Sequence, residues 1–88
     1  MKLVYPCILI PDGSPGYSVL PVDFDEATSG ETLDEALYMA EDLFKCIIED
    51  ALEEGEEIPT PTPPEKVEVP KGAFMTLIRV DTDAYKNA

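Results

Sequence analysis

Four carboxylates in the first third of the chain, Asp12, Asp23, Asp25 and Glu26, are of the type that holds a divalent cation. Carboxylates paired on Mg²⁺ can activate water and cleave a phosphodiester. The rest of such a site is not in the pattern: the spacing matches no ion-binding loop, and no Lys or Arg accompanies them to grip a phosphate. The 88 residues contain no His, so the commonest general base near neutral pH is missing. Ser14, Ser18 and Ser29 accordingly have no imidazole to activate them. Gly13 and Gly16 read as a turn, since a phosphate cradle would add a Lys and a helix start. Tyr17 and Phe24 could stack on nucleobases, but no basic groove surrounds them, and packing in a core or an interface is their expected use. A metal-dependent nuclease is the minor reading. No catalytic residue, metal ligand or cofactor is expected.

The charge balance points to binding instead. Nineteen acids stand against six bases, a net charge of −13. Nucleic acid is bound by displacing counterions with Lys and Arg, so this chain should be repelled by DNA and RNA, and equally by an anionic membrane. A basic protein is the natural complement, because opposite fields speed encounter and set specificity. Solubility alone is the competing explanation of the charge. Cys7 and Cys46 lie in apolar stretches without ligand spacing, and buried reduced thiols are expected rather than a disulfide. The apolar run from Leu3 to Ile10 is too short for a signal peptide and is cut by Pro6. No run approaches membrane-spanning length, and a cytoplasmic location is expected.

The elements that would position these groups can be read in order. Lys2 to Ile10, nearly all apolar, reads as a strand covered on both faces. Pro6 cannot donate to a ladder, so its ring should sit where the strand lacks a partner or at a bulge. Pro11 to Gly16 is a dense turn signal, and Tyr17 to Leu20 completes a hairpin. Pro21 to Gly30 is a polar loop, with a short third strand expected around Ala27 to Ser29. Thr32 to Glu54 is the clearest element: apolar residues recur in steps of three and four from Leu33 to Leu52. Thr32 and Glu35 form a capping box, in which the hydroxyl accepts from the Glu35 amide and the carboxylate reaches the Thr32 amide. Gly55 supplies the stop. The four prolines between Ile58 and Pro64 favour an extended connector. Ala73 to Val80 is the last strand, and Asp81 to Ala88 is polar, with a short helix able to begin at Asp83. One helix covers one sheet face. The other face, apolar along the first and last strands, must be met by a partner or a second copy.

The acid distribution is uneven. Eleven of the 19 acids fall between Glu31 and Glu57, and only Lys45 interrupts them. A solvated helix normally mixes both signs to gain support from i,i+4 pairs. This one presents anions much as a nucleic acid backbone would.

Val4-Tyr5-Pro6 in the first strand, Asp12-Gly13 at the turn and Gly16-Tyr17-Ser18-Val19 in the second strand begin an ordered series. Gly30-Glu31-Thr32-Leu33-Asp34-Glu35-Ala36-Leu37 opens the helix, Glu54-Gly55-Glu56-Glu57-Ile58-Pro59-Thr60-Pro61 closes it, and Val80-Asp81-Thr82-Asp83-Ala84-Tyr85 ends the series. The set resembles the N-terminal domain of HicB-type antitoxins over almost the whole chain, through the order of its parts rather than any one motif. The resemblance implies an α+β domain, β-β-β-α-β: a small mixed sheet of order 3-2-1-4 with one long helix on one face, a truncated RNase H-like fold without catalysis. It also implies a partner, the HicA-type toxin, a small basic ribonuclease with a catalytic His whose active surface the antitoxin would cover. The residues expected to meet it are Asp23, Phe24, Asp25 and Glu26 of the loop and Glu31, Asp34, Glu35 and Asp42 of the helix.

Two departures bear on this. The family often has Phe-Pro-Asp-Leu-Pro-Gly-Cys after the second strand, whereas Leu20-Pro21-Val22-Asp23-Phe24-Asp25-Glu26 stands here, so the loop contact should differ. Many members also carry a C-terminal helix-turn-helix or ribbon-helix-helix module that binds the operon promoter. This chain stops at Ala88, where that module would begin, and direct DNA binding by these residues is not expected. The overall expectation is one HicB-like domain over residues 1–82, with the Pro-rich connector 58–64 inside it and a tail over 83–88. It should act as an antitoxin and self-associate as a homodimer or higher homo-oligomer. The alternative is an orphan regulatory domain of the same fold with another protein partner.

Overall fold

The first strand, β1 (Lys2–Pro11), is rich in Val, Tyr and Ile, residues whose branched or aromatic side chains suit a pleated surface. In the computed structural model, which describes residues 1–13 and 16–85, β1 lies at the centre of the sheet. It pairs antiparallel with β2 (Tyr17–Pro21), which pairs in turn with β3 (Thr28–Gly30). On its other side it pairs antiparallel with β4 (Phe74–Asp81). The order is β3-β2-β1-β4, with a single long helix, α1 (Leu33–Glu54), between β3 and β4. The α+β class, the strand order and the helix are as expected. The tip of the Pro11–Gly16 turn, Ser14 and Pro15, and the last three residues of the expected tail lie outside the described residues.

The expectation of a mixed sheet is corrected: all three pairings are antiparallel. The connector supplies the reason. β3 runs parallel to β1, and Gly30 ends it near the Pro11 end of the sheet. The helix then carries the chain to the other end, where the Tyr5 hydroxyl donates to the Pro59 carbonyl oxygen at 2.6 Å. A strand entered directly from there would run parallel to β1. The stretch from Gly55 to Ala73 first returns along the sheet, so Phe74 enters opposite Leu9 and Asp81 leaves opposite Lys2.

Pro6 sits in the middle of the central strand without breaking it. Its carbonyl oxygen accepts from the Val22 amide at 3.2 Å, so its nitrogen also faces β2. The β1–β2 ladder ends at Cys7 and Pro21, one residue short of Pro6. The missing donor therefore falls where the paired strand has stopped, as Pro requires.

Strand alternation separates two faces. Tyr5, Cys7 and Leu9 of β1, Val19 of β2, and Ile78 and Val80 of β4 meet Ala36, Ala40, Phe44 and Ile48 of α1 in one buried cluster. The helical members recur every four residues, and the two alanines let the backbone approach the sheet while Phe44 fills the space beyond. The approach is closest at Gly30: a Cβ there would collide with the Ala36 amide nitrogen and lie 2.6 Å from the Ala36 Cα. Thr32 caps α1, its hydroxyl accepting from the Glu35 amide at 3.0 Å. The Glu35 carboxylate accepts from Glu31 rather than from the expected Thr32 amide. At the far end Gly55 adopts the left-handed conformation at φ 72°. The Gly55 and Glu56 amides then close onto the Leu52 and Ala51 carbonyls at 3.4 and 2.8 Å, a Schellman cap.

The two thiols part company. Cys7 is buried and Cys46 is exposed, which corrects the expectation that both are covered. Cys46 follows Phe44 by two residues, a rotation of about 200° that turns it away from the sheet. Burial pushes the Cys7 thiol up to about 11. Native alkylation should therefore modify Cys46 alone, with Cys7 reacting only after unfolding, as counted by intact mass. Gly30→Ala should lower stability by about 1–3 kcal/mol, the usual cost of overpacking, read as a lower urea midpoint.

Candidate functional site

The outward face of α1 begins as a compact acidic patch. Its first turn carries Asp34 and Glu35, where the helix dipole favours anions. Asp34, Glu35, Leu37, Tyr38 and Glu41 line a shallow cleft of about 500 Å³. Tyr38, 64 % exposed, is an aromatic ring set in solvent among carboxylates. Asp42 follows it by one helical turn. A face of this kind suits a cationic side chain, which can pair with the carboxylates and lie on the ring. Tyr38 and Glu41 are absent from the residues expected from sequence. The signal for Tyr38 was its position: it lies off the apolar stripe, three or four residues from Asp34, Glu35, Glu41 and Asp42.

The charge continues, interrupted only by Lys45, to the end of the helix. No basic residue stands in the last turn, where the dipole favours cations. A side-chain hydrogen bond with Glu56, and then the negative charge of Glu56, Asp50 and Glu53, raise the Glu54 pKa above the ordinary carboxylate range. Among the described residues the ion pair within 4 Å joins the N-terminal amine of Met1 to Asp83, far along the chain from the acidic helix.

The loop after β2 is arranged differently from the helix acids. Phe24 is half-buried and turned inward, its ring 5.1 Å from that of Tyr5 and 5.5 Å from that of Phe44. Asp23 accepts from the Thr62 amide at 3.0 Å and from the Thr62 hydroxyl at 2.6 Å. Burial, and secondarily the Asp23 charge, raise the Tyr5 pKa, which keeps the phenol protonated as the donor to Pro59. Asp23 and Phe24 thus tie the loop to the core and connector, while Asp25 and Glu26 stay exposed. Among the described residues no three His, Cys, Asp or Glu side chains converge to hold a metal, and Asp12 instead accepts from the Ser18 hydroxyl at 3.0 Å. No helix is long and apolar enough to cross a membrane.

An antiparallel sheet of order β3-β2-β1-β4 with one long helix is the frame that carries this acidic face. The same fold occurs in a solved structure described as "Toxin-Antitoxin complex from Streptococcus pneumoniae": the TM-score is 0.82 at 23 % identity, covering 97 % of this chain and 73 % of that one. The pattern of the HicB_like antitoxin of bacterial toxin-antitoxin systems matches residues 4–70. The chain belongs to that antitoxin family, and membership supports an antitoxin role. No curated protein matches it.

Two measurements follow from this geometry. Glu54 has a folded pKa above its unfolded value, so the folded state holds the extra proton between the two. Its contribution is fully present below the unfolded pKa and lost as pH rises through the folded one. Urea midpoints should rise as pH falls from neutral toward the carboxylate range, and Glu54→Gln should flatten that slope. Thr62→Val should cost about 1–3 kcal/mol, since it removes a hydrogen bond to a charged, half-buried group, seen as a lower melting temperature.

Proposed function

We propose that this chain is the antitoxin of a type II toxin–antitoxin pair and neutralises a small basic HicA-type ribonuclease by covering its active surface. It acts by binding, without catalysis or a cofactor, in the cytoplasm. The observation that carries the reading is the outward face of α1, where exposed carboxylates surround Tyr38 in a member of an antitoxin family. An RNA-cutting protein must hold cations in its substrate groove, and a rigid run of carboxylates can occupy that groove in place of phosphates. Helix placement matters, because preorganised charges lose little freedom on docking.

The contact set is Glu31, Asp34, Glu35 and Asp42 of the helix side, joined by Tyr38 and Glu41. From the loop, Asp25 and Glu26 are the residues free to touch a partner. Asp23 and Phe24 act through the loop's position, since their polar and aromatic contacts are made inside the chain.

The test is co-expression with the small basic protein encoded beside it. The expected result is restored growth and a co-purifying complex whose affinity falls about tenfold or more between about 50 and 300 mM salt, as for contacts between exposed charges. Tyr38→Ala should weaken binding about tenfold or more, as for an aromatic anchor, and Glu41→Lys with Asp42→Lys should abolish rescue while the circular dichroism spectrum is unchanged. No rescue and no complex at low salt would sink the proposal.

A further inference from the structure

The loop between β2 and β3 is fastened from outside itself. After β2 the Val22 amide still bonds the Pro6 carbonyl oxygen at 3.2 Å, and strand pairing resumes at Thr28 opposite Val19. Asp25 and Glu26 stand exposed in the gap. Two anchors precede them. Phe24 packs its ring on Tyr5 and Phe44. Asp23 reaches the connector, where its carboxylate accepts from the Thr62 amide at 3.0 and 3.2 Å and from the Thr62 hydroxyl at 2.6 Å.

We infer that Thr62 is a positioning residue for partner binding: through Asp23 it fixes the loop that presents Asp25 and Glu26. The inference rests on the reading of this chain as an antitoxin with those two acids in its contact set. Thr62 is half-buried, and its amide and hydroxyl are both committed to Asp23. Its neighbours make it a prepared donor. Pro61, Pro63 and Pro64 have no amide hydrogen, and their rings fix the backbone on either side and hold Thr62 in extended geometry. The Tyr5 hydroxyl, donating to the Pro59 carbonyl oxygen at 2.6 Å, pins the same strap three residues earlier.

The two anchors differ in kind. Apolar contact at Phe24 is non-directional, whereas bonds to one carboxylate set its orientation, and charge-assisted ones are the stronger class. A half-buried carboxylate deprived of a donor loses more than that bond, because it stays desolvated unless it turns to water. Such a turn at Asp23 moves the backbone two residues before Asp25. Coupling of this sort is reciprocal: a partner that holds Asp25 and Glu26 in place also favours the Asp23–Thr62 clasp, although Thr62 lies outside the contact set.

Titration of the purified chain with the small basic protein encoded beside it tests the inference. Thr62→Val should weaken binding about fivefold or more, within the usual range of coupling between sites. Thr62→Ser, which keeps the hydroxyl, should bind within about twofold of wild type. Added to Asp25→Asn with Glu26→Gln, Thr62→Val should cost no more than about a further twofold, since its effect passes through those acids. In the free chain, backbone order parameters at Asp25 and Glu26 should fall from about 0.85 to below about 0.6 in Thr62→Val, and the partner should slow hydrogen exchange at the wild-type Thr62 amide. Wild-type affinity in Thr62→Val would overturn the inference, as would an equal loss in Thr62→Ser or an undiminished loss in the background lacking the two loop charges. If the wild-type chain binds no basic neighbour, the antitoxin reading is lost, and the order parameters alone decide whether Thr62 holds the loop: unchanged values would overturn that as well.

Discussion

One apolar seam holds this protein together: the stripe Ala36, Ala40, Phe44 and Ile48 laid along Tyr5, Cys7 and Leu9 of the central strand. A 22-residue helix loaded with like charges has little reason to persist in water by itself. Its acids repel one another, its last turn carries no cation, and isolated helices gain little from propensity alone. Packing against the sheet offsets those costs, each large side chain buried contributing roughly 1.5–3 kcal/mol. The two alanines and Gly30 matter because they let the backbones approach closely enough for Phe44 to pack on both Tyr5 and Phe24.

Because the seam uses one stripe of the helix and one face of the sheet, the other two faces are free to diverge. The helix side gathers carboxylates around an exposed tyrosine. The sheet side carries no acid on its central rungs, only Asp81 at one end, and keeps Val4, Leu20 and Leu77 exposed. These surfaces call for opposite chemistries, one strengthened by low salt and one indifferent to it. The two surfaces lie on opposite sides of a two-layer fold.

The connector is the least regular part of the chain and has a structural duty beyond linkage. It spans the length of α1, about 33 Å for 22 residues, and by doing so reverses the direction in which β4 enters. It is fastened on the way by Tyr5 to Pro59 and by Asp23 to Thr62. The Asp23–Thr62 bonds also hold the loop after β2. Two residues that looked like surface recognition groups, an acid and an aromatic in a polar loop, are thereby committed largely to the interior.

The sequence by itself determined what depends on local spacing. The apolar period of three and four marked α1, Thr32 and Gly55 marked its ends within a residue, and the branched and aromatic runs marked β1 and β4. The acid count argued against a nucleic acid groove, and the ordered motifs resembled the family that the chain joins. What tertiary structure alone decided were matters of direction and pairing across the chain. An extended, proline-rich stretch has no period from which its return path can be read, so the antiparallel entry of β4 was hidden. The contacts of Asp23 with Thr62 and of Phe24 with Tyr5 and Phe44 join residues 19 to 39 positions apart, and composition cannot distinguish a solvated loop acid from one that accepts three hydrogen bonds. The same limit applied to Cys46 and Tyr38, whose exposure follows from which way the helix is rolled on the sheet.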